Sequence, residues 1–237
     1  MRQLPAAFQQ RVPYGIDAPP VPAGLAAGGL ACCLAARWGR NRWPAAAGAV
    51  LLAHAGVYLH TTVRGKLQAW RLVLGQLPLS GDEQLLDLGC GRGAVLIEAA
   101  RRLPAGRAVG VDLWHSRDQS GNSPAATLAN AGLAGVRDRV DVQTADMTSL
   151  PFPGASFDVV TSALAIHNIP DAGGRMRALD EAMRMLRPGG HLLIADFWPM
   201  TRRYAAYLGC GTLRGLGPGY WYGGPWFGIS LLHAVRT

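Results

Sequence analysis

The segment Leu85-Leu-Asp-Leu-Gly-Cys-Gly-Arg-Gly93 constrains this chain more than any other. An apolar run ends in an acid, three glycines follow at alternate positions, and Ala94-Val-Leu-Ile97 opens a helix-like stretch. Glycine has no Cβ, so such a backbone turns sharply and admits a ligand closely. Strand, glycine turn and helix in that order mark the crevice where open α/β sheets take ligands. Alone the pattern is weak, because dinucleotide-binding turns tolerate G-x-G-x-x-A as well. Asp87 separates the options. It stands two residues before the first glycine, where a nicotinamide-binding turn usually carries an apolar residue, and a carboxylate there suits a ligand with a nearby positive charge rather than a pyrophosphate.

Two further acids repeat the theme. Asp112 closes Val109-Gly-Val-Asp112, 19 residues beyond Gly93 and near the spacing of an acid that takes ribose hydroxyls. Asp146 follows a third strand-like run in Thr144-Ala-Asp-Met-Thr148. Any one of them reads equally well as a helix cap or a loop acid; all three in register with the glycine turn read as one crevice. From Arg64 onward, helical and strand-like segments alternate. Strands are expected at Gln84–Leu88, Ala108–Val111, Val140–Gln143, Phe157–Thr161 and His191–Asp196. Helices are expected at Arg64–Leu77, Gly91–Leu103, from Asn122-Ser-Pro124 to about Leu133, and from Asp171 to Leu186, stopped by Pro188-Gly-Gly190. Such alternation gives a mostly parallel sheet covered on both faces. Tyr220–Thr237 is expected to close it as an antiparallel hairpin.

Residues 64–237 resemble a class I S-adenosylmethionine-dependent methyltransferase. The resemblance is carried by Asp87-Leu-Gly-Cys-Gly-Arg-Gly93, by Asp112, and by Asp146 with Leu150-Pro-Phe-Pro153 and Ser156-Phe-Asp-Val-Val160. Arg184-Met-Leu-Arg-Pro-Gly-Gly-His191 completes it, and the stretch from 146 to 160 is similar to quinone-biosynthesis and other small-molecule methyltransferases. The fold implied is α/β: a doubly wound, mostly parallel, seven-stranded Rossmann-like sheet with an antiparallel C-terminal hairpin, preceded by two apolar helices. The cofactor implied is S-adenosyl-L-methionine. Asp87 and the backbone of Gly89, Cys90 and Gly91 would hold its methionine part. Asp112 would take the ribose and Leu113 would pack on adenine. Asp146 would accept from the adenine amino group, the Met147 backbone would read its edge, and Ser162 would line the methionine side. No metal site is implied.

The acceptor side is less determined. Nucleic-acid amino methyltransferases of this fold place an Asn/Asp-Pro-Pro-aromatic loop after the fourth strand, and here Ser162-Ala-Leu-Ala-Ile-His-Asn-Ile-Pro170 stands instead. His167 lies in that loop, and the ordinary imidazole pKa near 6.5 suits a general base; a backbone-bonded histidine at a helix terminus fits equally well. Trp114, His115, Asp118 and Gln119 could border the pocket or form a surface loop, and the aromatics of Tyr220–Phe227 could line an acceptor cavity or pack a hairpin. Tyr14 reads as a linker more readily than as a lid.

The first 63 residues differ from the rest. Ala18 to Ala36 and Pro44 to Val63 are uncharged, rich in Ala and Gly, and each about long enough to cross a hydrocarbon core of roughly 30 Å. The connector from Arg37 to Trp43 carries Trp and Arg as interfacial anchors do. Gly24 and Gly28 have the spacing that lets helices touch. Two domains follow: residues 1–63, a membrane-inserted hairpin with lipid contact through 18–63, and residues 64–237, the methyltransferase half. A soluble helical extension is the plainer alternative. Flanking arginines favour a cytoplasmic catalytic half. The net charge of +8 is almost all scattered arginine, Lys66 being the only lysine, so no nucleic-acid partner is expected. Cys32, Cys33, Cys90 and Cys210 form no metal-ligand spacing. The expected activity is methyl transfer to a small, lipophilic acceptor; a membrane-anchored cofactor-binding protein without transferase activity is the alternative. The motifs leave the acceptor atom and the oligomeric state open.

Overall fold

The computed structural model describes residues 13–39, 42–224, 226 and 228–237. Arg2, Arg11 and Arg40 of the expected charge flanks, and Pro225 and Phe227 of the aromatic cluster, lie outside these residues.

Seven strands form one sheet: β1 (Gln84–Leu88), β2 (Arg107–Asp112), β3 (Val140–Thr144), β4 (Phe157–Ala163), β5 (Leu186–Phe197), β6 (Thr212–Gly215) and β7 (Ile229–Val235). Their order is β3-β2-β1-β4-β5-β7-β6. β1 to β5 run parallel, and β7 lies antiparallel between β5 and β6. The chain moves outward from β1 through β2 to β3, then returns to place β4 on the other side of β1. That reversal opens a crevice at the carboxyl ends of β1 and β4. The central strands are apolar and buried on both faces, as a parallel sheet requires.

Helices α4 (Ala94–Ala100), α5 (Pro124–Leu133) and α6 (Ala172–Met185) cover the faces, and α7 (Trp198–Leu208) leads from β5 to β6. Local chemistry sets their starts. Ser123 accepts from the Ala126 amide ahead of Pro124, and Asp171 accepts from the Gly174 amide at 2.6 Å. The antiparallel pair at the C-terminal end forms, but with a different partner from the one expected. Thr212–Gly215 pairs with Ile229–Val235. Tyr220 and Tyr222 are instead buried in the connection, Tyr222 edge-on to Tyr58. Pro188-Gly-Gly190 does not follow a helix stop with a loop; it lies inside β5, where the register against β4 shifts beside Phe157.

Two helices precede the sheet. α1 (Pro20–Trp38) and α2 (Trp43–His60) form an antiparallel hairpin, and a π-helical turn at Thr61–Gly65 carries α2 into α3 (Lys66–Leu74) without a break. The boundary expected at 63/64 thus falls inside a continuous helix. The close helix contact is not at Gly24 and Gly28: a Cβ on Gly24 would meet nothing, and one on Gly28 would touch Leu51 of α2 at an ordinary 3.7 Å. Gly29 and Gly48 make it, since a Cβ on Gly48 would lie 2.7 Å from the Gly29 carbonyl oxygen. Pro20–Trp38 and Trp43–Leu74 are long and apolar enough to cross a membrane by length and composition, with only 11% and 28% of their apolar windows buried.

Candidate active site

The glycine turn after β1 is left-handed at Gly89, Gly91 and Gly93 (φ 70°, 52° and 85°), a conformation that side chains resist. Its amides are already used. Gly89 and Cys90 donate to the Val111 carbonyl, and Gly91 donates to Asp112 at 2.8 Å. The turn therefore offers close approach rather than free donors. A cavity of about 480 Å³ opens above it, lined by Asp87, Gly89, Cys90 and Gly91, by Asp112 and Leu113, and by Asp146 and Met147.

Asp87 is 1% exposed and accepts from the Thr161 hydroxyl at 2.7 Å. Among the described residues no cation pairs with it. Burial lifts its carboxyl to about 7, the Thr161 bond opposes this, and the Asp112 charge adds to it. Asp112 accepts from the Trp114 amide, the Asn122 side chain and Gly91, which fixes its carboxylate at the rim. Asp146 is exposed and anchored by the Thr148 amide, and Leu113 is 49% exposed over the cavity. Cys90 is buried, and burial pushes its thiol up, so it shapes the wall without being a nucleophile.

Ser162 does not line the cavity. Side chains alternate along β4, so Thr161 and Ala163 face Asp87 while Ser162 faces the opposite layer and donates to the Leu88 carbonyl. Ala163, Leu164 and Ala165 line the cavity in its place. Leu164 holds a left-handed backbone (φ 55°), a strain of about 1–2 kcal/mol that the neighbouring Ala195 carbonyl helps to hold.

His115, Asp118 and Gln119 also line the cavity, whereas Trp114 turns away and donates to Thr144. Residues 13–18 are not a free linker; they strap across this loop. Ile16 and Ser120 exchange backbone and side-chain bonds, and Ala18 donates to the Asp118 carbonyl. Asp17 closes the strap. Both its oxygens accept from Lys66, at 2.7 and 2.8 Å, and it also accepts from Gln119 and Tyr222. Burial pushes this carboxyl up, and the Lys66 charge with these hydrogen bonds outweighs it, leaving it below the usual range. Gln119 in turn accepts from the Arg92 amide of the glycine turn at 2.6 Å. Tyr14 packs on the core, and burial raises its phenol. Asp17 and Lys66 escaped the sequence reading, because only the fold brings position 17 to position 66.

His167 sits on a second cavity, of about 340 Å³, that abuts the first and shares Asp17, Arg117, Asp118, Leu164 and Asn168 with it. Its Nδ1 lies 2.8 Å from Oδ1 of the fully buried Asp196. Despite that distance, Nδ1 makes no hydrogen bond in this geometry. Phe197 packs edge-on against the imidazole.

The motif from Arg184 to His191 does mechanical work. Arg184 binds Glu181 and the carbonyls of Leu150 and Phe152, bolting the loop after Asp146 to α6.

The sheet order is that of a doubly wound α/β fold, and the acid-ringed cleft lies where its strand order reverses. Residues 86–194 match the family described as a methyltransferase domain. The chain is 38% identical over 123 residues to 27-O-demethylrifamycin SV methyltransferase of Amycolatopsis mediterranei, covering 52% of this chain and 42% of that protein. It is 30% identical over 132 residues to the ubiquinone/menaquinone biosynthesis C-methyltransferase UbiE of Geotalea daltonii, covering 55% and 52%. The chain thus spans about half the length of these relatives. Among solved structures, the [4+2]-cyclase SpnF shares the fold with a TM-score of 0.61 at 20% identity, over 74% of this chain and 83% of that one.

Proposed function

We propose that this protein transfers a methyl group from S-adenosylmethionine to a small, lipophilic acceptor at a membrane surface, with its catalytic half in the cytoplasm. The observation that carries the proposal is Asp87: a buried carboxylate with no cationic partner among the described residues, aimed into a cavity that Asp112 and Asp146 also rim. Such a charge is costly unless a ligand brings the opposite one. The donor set fits this cofactor: Asp87 for the ammonium, Asp112 for the ribose hydroxyls, Leu113 for the adenine face, the Met147 backbone for its edge and Asp146 for its amino group. When bound, the cofactor supplies an electrophilic methyl on a sulfonium. The acceptor must reach it in line, and placement is then the main contribution of the protein.

His167 is the base of this proposal. Asp196 beside Nδ1 favours a hydrogen on that nitrogen, which leaves Nε2 to take the acceptor's proton. Asp196 touches neither cavity and acts as a positioning residue. The rifamycin and quinone-biosynthesis relatives support a lipophilic small-molecule acceptor, and the exposed apolar hairpin supports membrane attachment. With methyl-labelled cofactor, saturable binding is expected and Asp87→Ala should weaken it at least 100-fold; wild-type affinity in that variant refutes the assignment. His167→Ala should lower label transfer into organic-extractable material by about 10²–10⁴-fold, with cofactor affinity kept.

A further inference from the structure

The second cavity has a composite wall. Val21 and Leu25 of α1 and His54 of α2 form one side, and Leu164, His167 and Phe197 of the methyltransferase half form the other. The three hairpin residues, with Tyr58 of α2, lie at the root of the hairpin, and the tip at Trp38 and Trp43 is remote and exposed. The cavity is mostly apolar, and it abuts the cofactor cleft at Asp17 and Leu164, which line both. Its volume of about 340 Å³ is at the small end for drug-sized ligands, enough for a ring but not for a long chain. Val21 at its lip is 46% exposed, and Leu30, Leu34 and Val50 further along the hairpin are exposed as well. Two imidazoles meet the cavity. That of His54 has its Nε2 at 3.2 Å from the Tyr222 carbonyl and is occupied there. That of His167, backed by Asp196, is the one available for a proton on the ligand.

We infer that the apolar hairpin is half of the acceptor site as well as an anchor. The cavity at its root takes the hydroxylated aromatic head of a tailed lipid-phase molecule, while the tail stays along α1 and α2. This inference rests on the proposed transfer of a methyl group to a lipophilic acceptor, and it specifies where that acceptor sits and what it is made of. The exposed apolar side chains from Val21 along the hairpin would give the tail an apolar surface to lie on.

The test uses the full chain in phosphatidylcholine vesicles and decylhydroquinone as probe, with tail-free hydroquinone beside it. Decylhydroquinone should bind saturably, and hydroquinone at least 100-fold more weakly; equal affinities overturn the tail's place on the hairpin. Leu25→Trp fills the cavity from α1 and should weaken decylhydroquinone at least tenfold. Val21→Phe, at a half-open position that tolerates bulk, should weaken it about fivefold and guards against misfolding of the first variant. Leu34→Trp, near the tip, should stay within twofold of wild type. If the root and tip variants bind the probe alike, the cavity is not the site. Cofactor affinity, measured in parallel, should be the same in all four proteins. Its absence from the wild type would remove the methyl-transfer proposal, whereas the probe series reports on the cavity alone.

Discussion

Asp87 concentrates the chemistry of the site into one titration. Its carboxyl is held at about 7 by burial, well above the ordinary value. Between about pH 4 and pH 7 the unfolded chain gives up this proton while the folded one keeps it, so Asp87 withdraws stability as pH rises through that window. Asp87→Asn should therefore flatten the pH dependence of thermal stability there, as calorimetry can show. A cationic ligand requires the ionised form. Cofactor affinity should fall about tenfold for each unit below pH 7 in the wild type and lose that slope in Asp87→Asn, measured by titration calorimetry. With His167 as the proposed base, Asp196 would act at one remove: Asp196→Asn should reduce kcat about tenfold or more with KM and cofactor affinity little changed, which separates positioning of His167 from loss of the pocket.

At the scale of elements, the joint between α2 and α3 governs how the halves meet. Thr61 donates to the Trp221 carbonyl, Thr62 accepts from the Asp17 amide, and a Cβ on Gly65 would overlap the Gly219 carbonyl. A π-turn of this kind is rare and tends to mark functional sites. Lys66→Met strands the Asp17 carboxylate and should cost about 3 kcal/mol in denaturant unfolding. Because Asp17 sits below its ordinary range, the stability it lends is present above about pH 4 and disappears in more acid solution. The elements most legible in the sequence are those with local signals: β1 and the glycine turn, the capped start of α5, and the acids at the ends of β2 and β3. What could not be read locally depends on distant partners. The partner of β7 is Thr212–Gly215, a short exposed strand with no alternation to announce it. Ser162 sits one residue out of phase with the cavity face. The helix contact uses Gly29 and Gly48, on two different helices, where a within-helix spacing pointed to Gly24 and Gly28. The strap at Asp17 depends on contacts across 49, 102 and 205 positions.

The whole molecule joins an acid-lined cleft to an apolar hairpin, and the cavity at the hairpin's root shares residues with that cleft. Nineteen residues of α1 rise about 28 Å, near the thickness of a hydrocarbon core. Leu30 and Val50 point outward, 56% and 67% exposed. The full chain should stay with vesicles through an alkaline carbonate wash, and Leu30→Arg with Val50→Arg should release it into the supernatant. The most direct measurement is transfer itself. Full-length protein in vesicles, given methyl-labelled S-adenosylmethionine and a panel of hydroxylated aromatic lipids, should move label into at least one lipid and stop doing so with Asp87→Asn. Label that remains with the cofactor across the panel, in a protein that binds the cofactor normally, would contradict the account.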